Sequence, residues 1–160
     1  MDFYTFIQLL VVSITATSAM TAFSYAASRK FRELYKEPVL LSYMLKIFKV
    51  KLAKQSETTW GWILHYLIGF LFVIIYHWLW TKDILPLSFL SALLLGAVSG
   101  IIGIIGWMII FNISHHKPDI DFKGYYIQLF IAHVIFGIVA AAIYFISLTI
   151  LLLAKTYVTV

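Results

Sequence analysis

GWILHYLIGFLFVIIYHWLW, residues 61–80, runs for twenty residues without an Asp, Glu, Lys or Arg. A helix of that length rises about 30 Å, the thickness of bilayer hydrocarbon. Trp60 and Trp62 open the stretch and Trp78 and Trp80 close it, roughly 27 Å apart at the helical rise, as in the aromatic belts at membrane–water boundaries. The reading is a transmembrane helix with one anomaly, His65. An ionisable side chain in hydrocarbon is costly and is by default a candidate functional group.

The rest of the chain agrees with that setting. Its 160 residues are 62% hydrophobic and 12% charged, whereas a soluble domain is about half apolar and a quarter charged. Four such stretches are predicted, at about residues 3–27, 59–80, 85–112 and 125–153, in a single domain covering 1–160. The short TKDILP connection, residues 81–86, makes spans two and three an antiparallel hairpin. The N-terminus lacks a positive n-region and runs on into Thr and Ser, so it reads as a retained span rather than a cleaved leader. The expected fold is all-α: a polytopic four-transmembrane-helix bundle with an interfacial amphipathic helix in the first loop.

Charge gives the expected orientation. The net charge is +5, and eight of the twelve Lys and Arg residues lie between Arg29 and Lys54. Lys117 and Lys123 fall on the same side, and only Lys82 and Lys155 on the other. The excess of Lys and Arg marks the cytoplasmic face, which puts both termini outside the cell (inner) membrane. Beside apolar spans a basic block signals topology or anionic lipid rather than nucleic acid. Within it, PVLLSYMLKIFKVKLAK (38–54) suits a helix on the leaflet, with Lys46, Lys49, Lys51 and Lys54 toward headgroups. Pro38 fits a first helical turn.

Small residues forecast the packing. Gly96, Gly100 and Gly103 share a face of span three, followed by Gly106; Ser13, Thr17, Thr21 and Ser24 form a hydroxylated stripe on span one. Small residues let helices approach in lipid. Both stripes are expected to face the interior, and each other. The hydroxyl stripe either packs against a neighbour or lines a cavity. No proline interrupts a span, unlike the broken helices of many transporters.

His65 has a counterpart. His65-x-x-x-Gly69 in span two and His133-x-x-x-Gly137 in span four repeat one pattern, with His and Gly on one face. The spans read as a hairpin repeated in parallel, with both histidines in the cytoplasmic half. Such a pair suits bis-imidazole haem ligation, a divalent metal, or a proton relay or polar ligand. Alternatively each imidazole bonds a neighbouring helix and locks the bundle. A second group, His115, His116, Asp119 and Asp121, lies in the connection SHHKPDIDFKGYY; it is a candidate metal set or a solvated loop in which Asp121 caps the last helix. The expected lining of a site on this side is His65, Tyr66, Trp62, Trp107, Asn112, His116, Asp119, Gln128 and His133. His77 belongs to the opposite interface. Familiar catalytic motifs and an intramembrane carboxylate are missing from the spans, and the chain has no cysteine for thiolate metal sites.

The segment Gly61-Trp62-Ile63-Leu64-His65-Tyr66-Leu67-Ile68-Gly69, with His133-Val134-Ile135-Phe136-Gly137, resembles a family of small four-span bacterial inner-membrane proteins carrying G-W-x-x-H-Y-x-I-G and H-x-x-F-G segments. The likeness covers mainly residues 59–137. It implies a bacterial membrane location and no particular activity. The leading functional expectation is a non-catalytic binding, accessory or transport-associated module, alone, as a homo-oligomer or with a partner membrane subunit. The alternatives are a haem- or metal-binding redox protein using His65 and His133, and an oligomeric small-solute transporter or channel.

Overall fold

The computed structural model describes residues 2–47, 54–114 and 118–158, with side chains described within 2–45, 56–114 and 118–154. The described residues form five helices: α1 (Phe3–Phe31), α2 (Glu37–Ile47), α3 (Lys54–Thr81), α4 (Phe89–Ile113) and α5 (Phe122–Val158). Four of them, all but α2, are long and apolar enough to cross a membrane. Only 22% to 39% of the most apolar window in each is buried inside the bundle. The apolar residues left outside need another apolar phase to cover them.

Helix ends follow local chemistry. Asp2 caps α1 by accepting from the Thr5 N–H at 2.7 Å. Arg32 ends it in the left-handed region at φ 59°, and its N–H bonds the Ser28 carbonyl; Arg29 and Lys30 in the last turn suit the negative end of the dipole. α1 thus runs past the predicted end at residue 27. α4 begins at Phe89 rather than near 85, because Ser88 and Ser91 form a reciprocal capping box there.

α2 falls within the helix expected over residues 38–54 and adds Glu37 before it; Lys49 and Lys51 lie outside the described residues, as do the side chains of Lys46 and Lys54. α2 packs closely on α3. Gly61 is the notch that admits it, since a Cβ there would collide with the Ser42 hydroxyl and the Pro38 carbonyl. Leu40 and Met44 are buried with Tyr35, Trp107, Tyr125 and Leu129. The end of the bundle carrying α2 is called the basic end below.

Close backbone packing joins α4 to α5, α1 to α5 and α1 to α3. The two small-residue stripes face inward but not toward each other. The glycines of α4 meet α5: a Cβ on Gly96 would lie 2.7 Å from the His133 carbonyl oxygen, and one on Gly137 would lie 2.8 Å from Gly96 Cα. On α1, Thr17 and Thr21 meet α3, where Gly69 receives the Thr17 side chain, while Ser24 meets Glu37 of α2 and Gln128 of α5. Successive helices α3 and α4 are tied mainly near their connection, by Tyr76 OH to Ser99 Oγ at 2.7 Å and Trp80 Nε1 to Ser91 Oγ at 3.4 Å.

The glycines are therefore not equivalent. Gly96→Val and Gly137→Val are each expected to destabilise the bundle by about 1–3 kcal/mol through overpacking against backbone. Gly106 has nothing within 4 Å of a would-be Cβ, so Gly106→Ala should leave stability unchanged or slightly raised. Unfolding in mixed micelles measures all three, and equal effects would contradict this packing.

Candidate functional site

His65, His133 and Glu37 line one cavity of about 220 Å³ in the half of the bundle nearer the basic end. Each is buried, at 6%, 7% and 3% exposure. The walls are otherwise mostly apolar. Phe72, Phe136 and Trp107 provide aromatic surface, and Gly103 and Gly106 leave the α4 side open. Ile68 of α3 and Ile102 of α4 also line it and are 41% and 53% exposed. The cavity therefore opens sideways between α3 and α4, where those helices are not closely packed.

Each imidazole is held by one nitrogen. His133 Nδ1 lies 2.8 Å from the Leu129 carbonyl oxygen. A carbonyl only accepts, so Nδ1 carries the proton, and in the neutral ring Nε2 is left as an acceptor. That edge lies over Gly103, where a Cβ would come within 3.2 Å of Nε2. His65 Nε2 lies 2.8 Å from Thr21 Oγ1, whose own proton goes to the Thr17 carbonyl at 2.6 Å. His65 therefore donates through Nε2 and keeps Nδ1 as an acceptor. These tautomers are assigned from the hydrogen-bond network. The two rings lie within electrostatic reach of each other, and Phe72 packs edge-on to His133.

Although the four spans carry no carboxylate within their apolar windows, Glu37 of α2 brings one into the bundle interior. It is the first residue of α2, before Pro38, and the return of the chain after α1 inserts it between α1 and α5. Oε1 accepts from Ser24 Oγ at 2.8 Å and from Gln128 Nε2 at 3.3 Å, and Gln128 also donates to Ser24 at 2.6 Å. Oε2 is buried with no hydrogen-bond partner among the described residues; the same holds for Gln128 Oε1 and Tyr125 OH. Burial pushes the Glu37 carboxyl up to about 7, against hydrogen bonds from its own backbone, Ser24 and Gln128 that favour the charged form.

Of the predicted lining, His65, His133 and Trp107 meet at the cavity, and Gln128 joins it through Glu37. Tyr66 does not: successive helical residues are about 100° apart, and its hydroxyl bonds Ser18 on the other side of α3, at 2.9 Å. Trp62 stacks there with Tyr66 and Tyr25. Asn112 is exposed and lines a separate groove with Met108 and Tyr126. Asp119 is exposed; Asp121 immediately precedes α5, with its carboxylate over Gly124 and 3.5 Å from Tyr35 OH. His115 and His116 lie outside the described residues. Among the described residues no three His, Asp or Glu side chains are grouped so as to hold a metal ion. At the far end, His77 Nδ1 pairs with Tyr144 OH at 2.7 Å.

Glu37 makes stability depend on pH. Its folded value of about 7 exceeds the ordinary 4.5, so between these values the folded state holds more protons than the unfolded. Stability is then expected to fall as pH rises from about 4.5 to about 7, by up to about 3 kcal/mol, and to level off above. Unfolding of Glu37→Gln across the same range should lack this component. An identical profile in the variant would show that the titrating group lies elsewhere.

Comparison of the chain with protein-family models, with curated proteins and with solved structures gives no match. The resemblance over residues 59–137 rests on its short motifs alone.

Proposed function

We propose that the protein is a non-catalytic ligand-binding module of a bacterial inner membrane. It holds a small lipophilic molecule in the cavity between His65, His133 and Glu37. One observation carries this reading: a buried, mostly apolar cavity whose few polar groups, Glu37, His65 and His133, come from three separate helices and leave acceptor atoms unused. Binding pockets combine apolar walls with a few placed polar groups in this way. At about 220 Å³ the cavity is smaller than typical drug-sized pockets, which start near about 300 Å³. That favours a compact ligand over a haem. The sideways opening suits a ligand that arrives from the lipid phase. The basic end faces the cytoplasm in this reading, with both termini outside and the lysines near residues 46–54 toward anionic headgroups.

Filling the cavity tests the assignment. Gly106→Phe projects a ring into open space and should abolish co-purification of a small molecule, read by native mass spectrometry from mild detergent, with little loss of stability. An empty wild-type protein, or equal loading of both, counts against the reading. Orientation has its own test, simplified by the absence of cysteine. A single cysteine at Lys82 should react with an impermeant maleimide added outside intact cells, and one at Asp119 should not. The reverse pattern would invert the topology.

A further inference from the structure

The ionisable residues that line the cavity leave atoms unused, and these share one character that sets the chemistry of the occupant. Among the described residues Glu37 Oε2 has no partner, and the hydrogen bonds of His133 and His65 leave each neutral ring with an acceptor nitrogen. The cavity thus offers acceptors. The nearest cation in sequence, Lys36, does not pair with Glu37; its ammonium stands over the Tyr25 ring, 5.0 Å from the centroid. A carboxyl buried to 3% exposure with no cation paired to it among the described residues must carry a proton or receive a cation from outside. Trp107, Phe72 and Phe136 supply aromatic walls suited to an apolar or cationic guest. Among the described residues no trio of side chains is grouped for a metal ion, and an organic cation does not need that convergence. For size, an engineered cavity of about 150 Å³ holds benzene, so about 220 Å³ admits a ring with a short arm.

From this we infer that the occupant is an organic cation on a small apolar body, an aromatic or short-chain ammonium, which Glu37 binds in exchange for a proton while His65 and His133 accept its N–H groups. This rests on the cavity reading above. The step balances: Glu37 loses the proton from its carboxyl to water at the basic end, and the ammonium takes its place as counter-ion with no covalent bond made in the ligand. The groups around the carboxyl are few. α1 presents Ser24 and Tyr25, α5 presents Tyr125, Gln128 and His133, α3 presents His65, and the connection carries Lys36.

The probe pair is phenethylammonium and its neutral isostere 2-phenylethanol. Each is titrated calorimetrically into the full chain in phosphatidylcholine nanodiscs, with empty nanodiscs as blank. The ammonium should bind more tightly, with its Kd falling about tenfold per pH unit below about pH 7 and levelling above. Near pH 5.5, buffers of different ionisation enthalpy should report about one proton released per ligand. Glu37→Gln keeps the acceptor for Ser24 and Gln128. It should weaken the ammonium about tenfold or more at about pH 8, abolish the pH dependence and leave 2-phenylethanol unaffected. Equal affinity for the two probes, full affinity in Glu37→Gln, or no proton release would each overturn the inference. If the alcohol binds wild type and is lost in Gly106→Phe, the cavity is a binding site and only the cation class is wrong. If neither probe binds, the inference falls, while the cavity reading is decided separately by co-purification in Gly106→Phe.

Discussion

The hydrogen bond from Ser24 Oγ to the Glu37 carboxyl, 2.8 Å long, fixes α2 to α1, and Gln128 extends it to α5. The basic end of the bundle depends on this junction. Glu37 cannot be inserted without drawing Pro38, Leu40 and Met44 in behind it, and these residues seat α2 on α3. In surroundings that offer only apolar contact, a polar group that leaves its partner has no water to replace it. The junction is held by that penalty as much as by the bonds themselves. Because one carboxyl oxygen is saturated and the other is not, the same junction that closes the bundle end supplies the most polar point of the cavity.

A second regularity is the reuse of His-x-x-x-Gly. In α3, Gly69 receives Thr17 of α1, and one turn away His65 bonds Thr21 of the same helix. In α5, Gly137 receives the α4 backbone at Ala92 and Gly96, and His133 lies against Gly103. In each case the glycine sets how near the first helix comes, and the histidine occupies the space one turn toward the basic end. Packing in lipid relies on such close approach and on polar contacts rather than on hydrophobic expulsion. The two histidines reach one cavity because two helix pairs, built alike, share α5 as their common neighbour.

Residues 61–80 were legible because length and composition alone distinguish an apolar helix of that kind, and the same holds for the other three. Ends were less legible, because the Ser88–Ser91 box and the left-handed Arg32 act through backbone geometry that a composition scan does not weigh. His65 and His133 were legible as a related pair from the repeated motif, though their meeting at one cavity depends on helix rotation that the motif does not fix. Glu37 was not legible. In LYKEPVLL it looks like an acidic residue in the first turn of a surface helix, surrounded by Lys and Arg. Its burial comes from the path of residues 32–36, which depends on tertiary packing. The one available signal was the polar pair of Ser24 on α1 and Gln128 on α5, each facing inward and in need of a partner. Tyr66 illustrates the converse error, since adjacency in sequence to His65 places it on a different face.

The gap between α3 and α4 finally has an energetic meaning. Gly96, Gly100 and Gly103 commit α4 to α5, and Gly69 commits α3 to α1, so the two consecutive helices are pulled apart except near their connection. The cavity that remains, about 220 Å³, would cost at most about 5 kcal/mol if it were closed and void, at the rate measured for apolar cavities in protein cores. That is comparable with the whole stability of many domains. A methyl at Gly106 has room and would fill a small part of that space, whereas one at Gly103 would press on the His133 ring. Glycine at Gly106, beside a buried, half-satisfied carboxyl, is the feature on which the proposed ligand-binding reading draws.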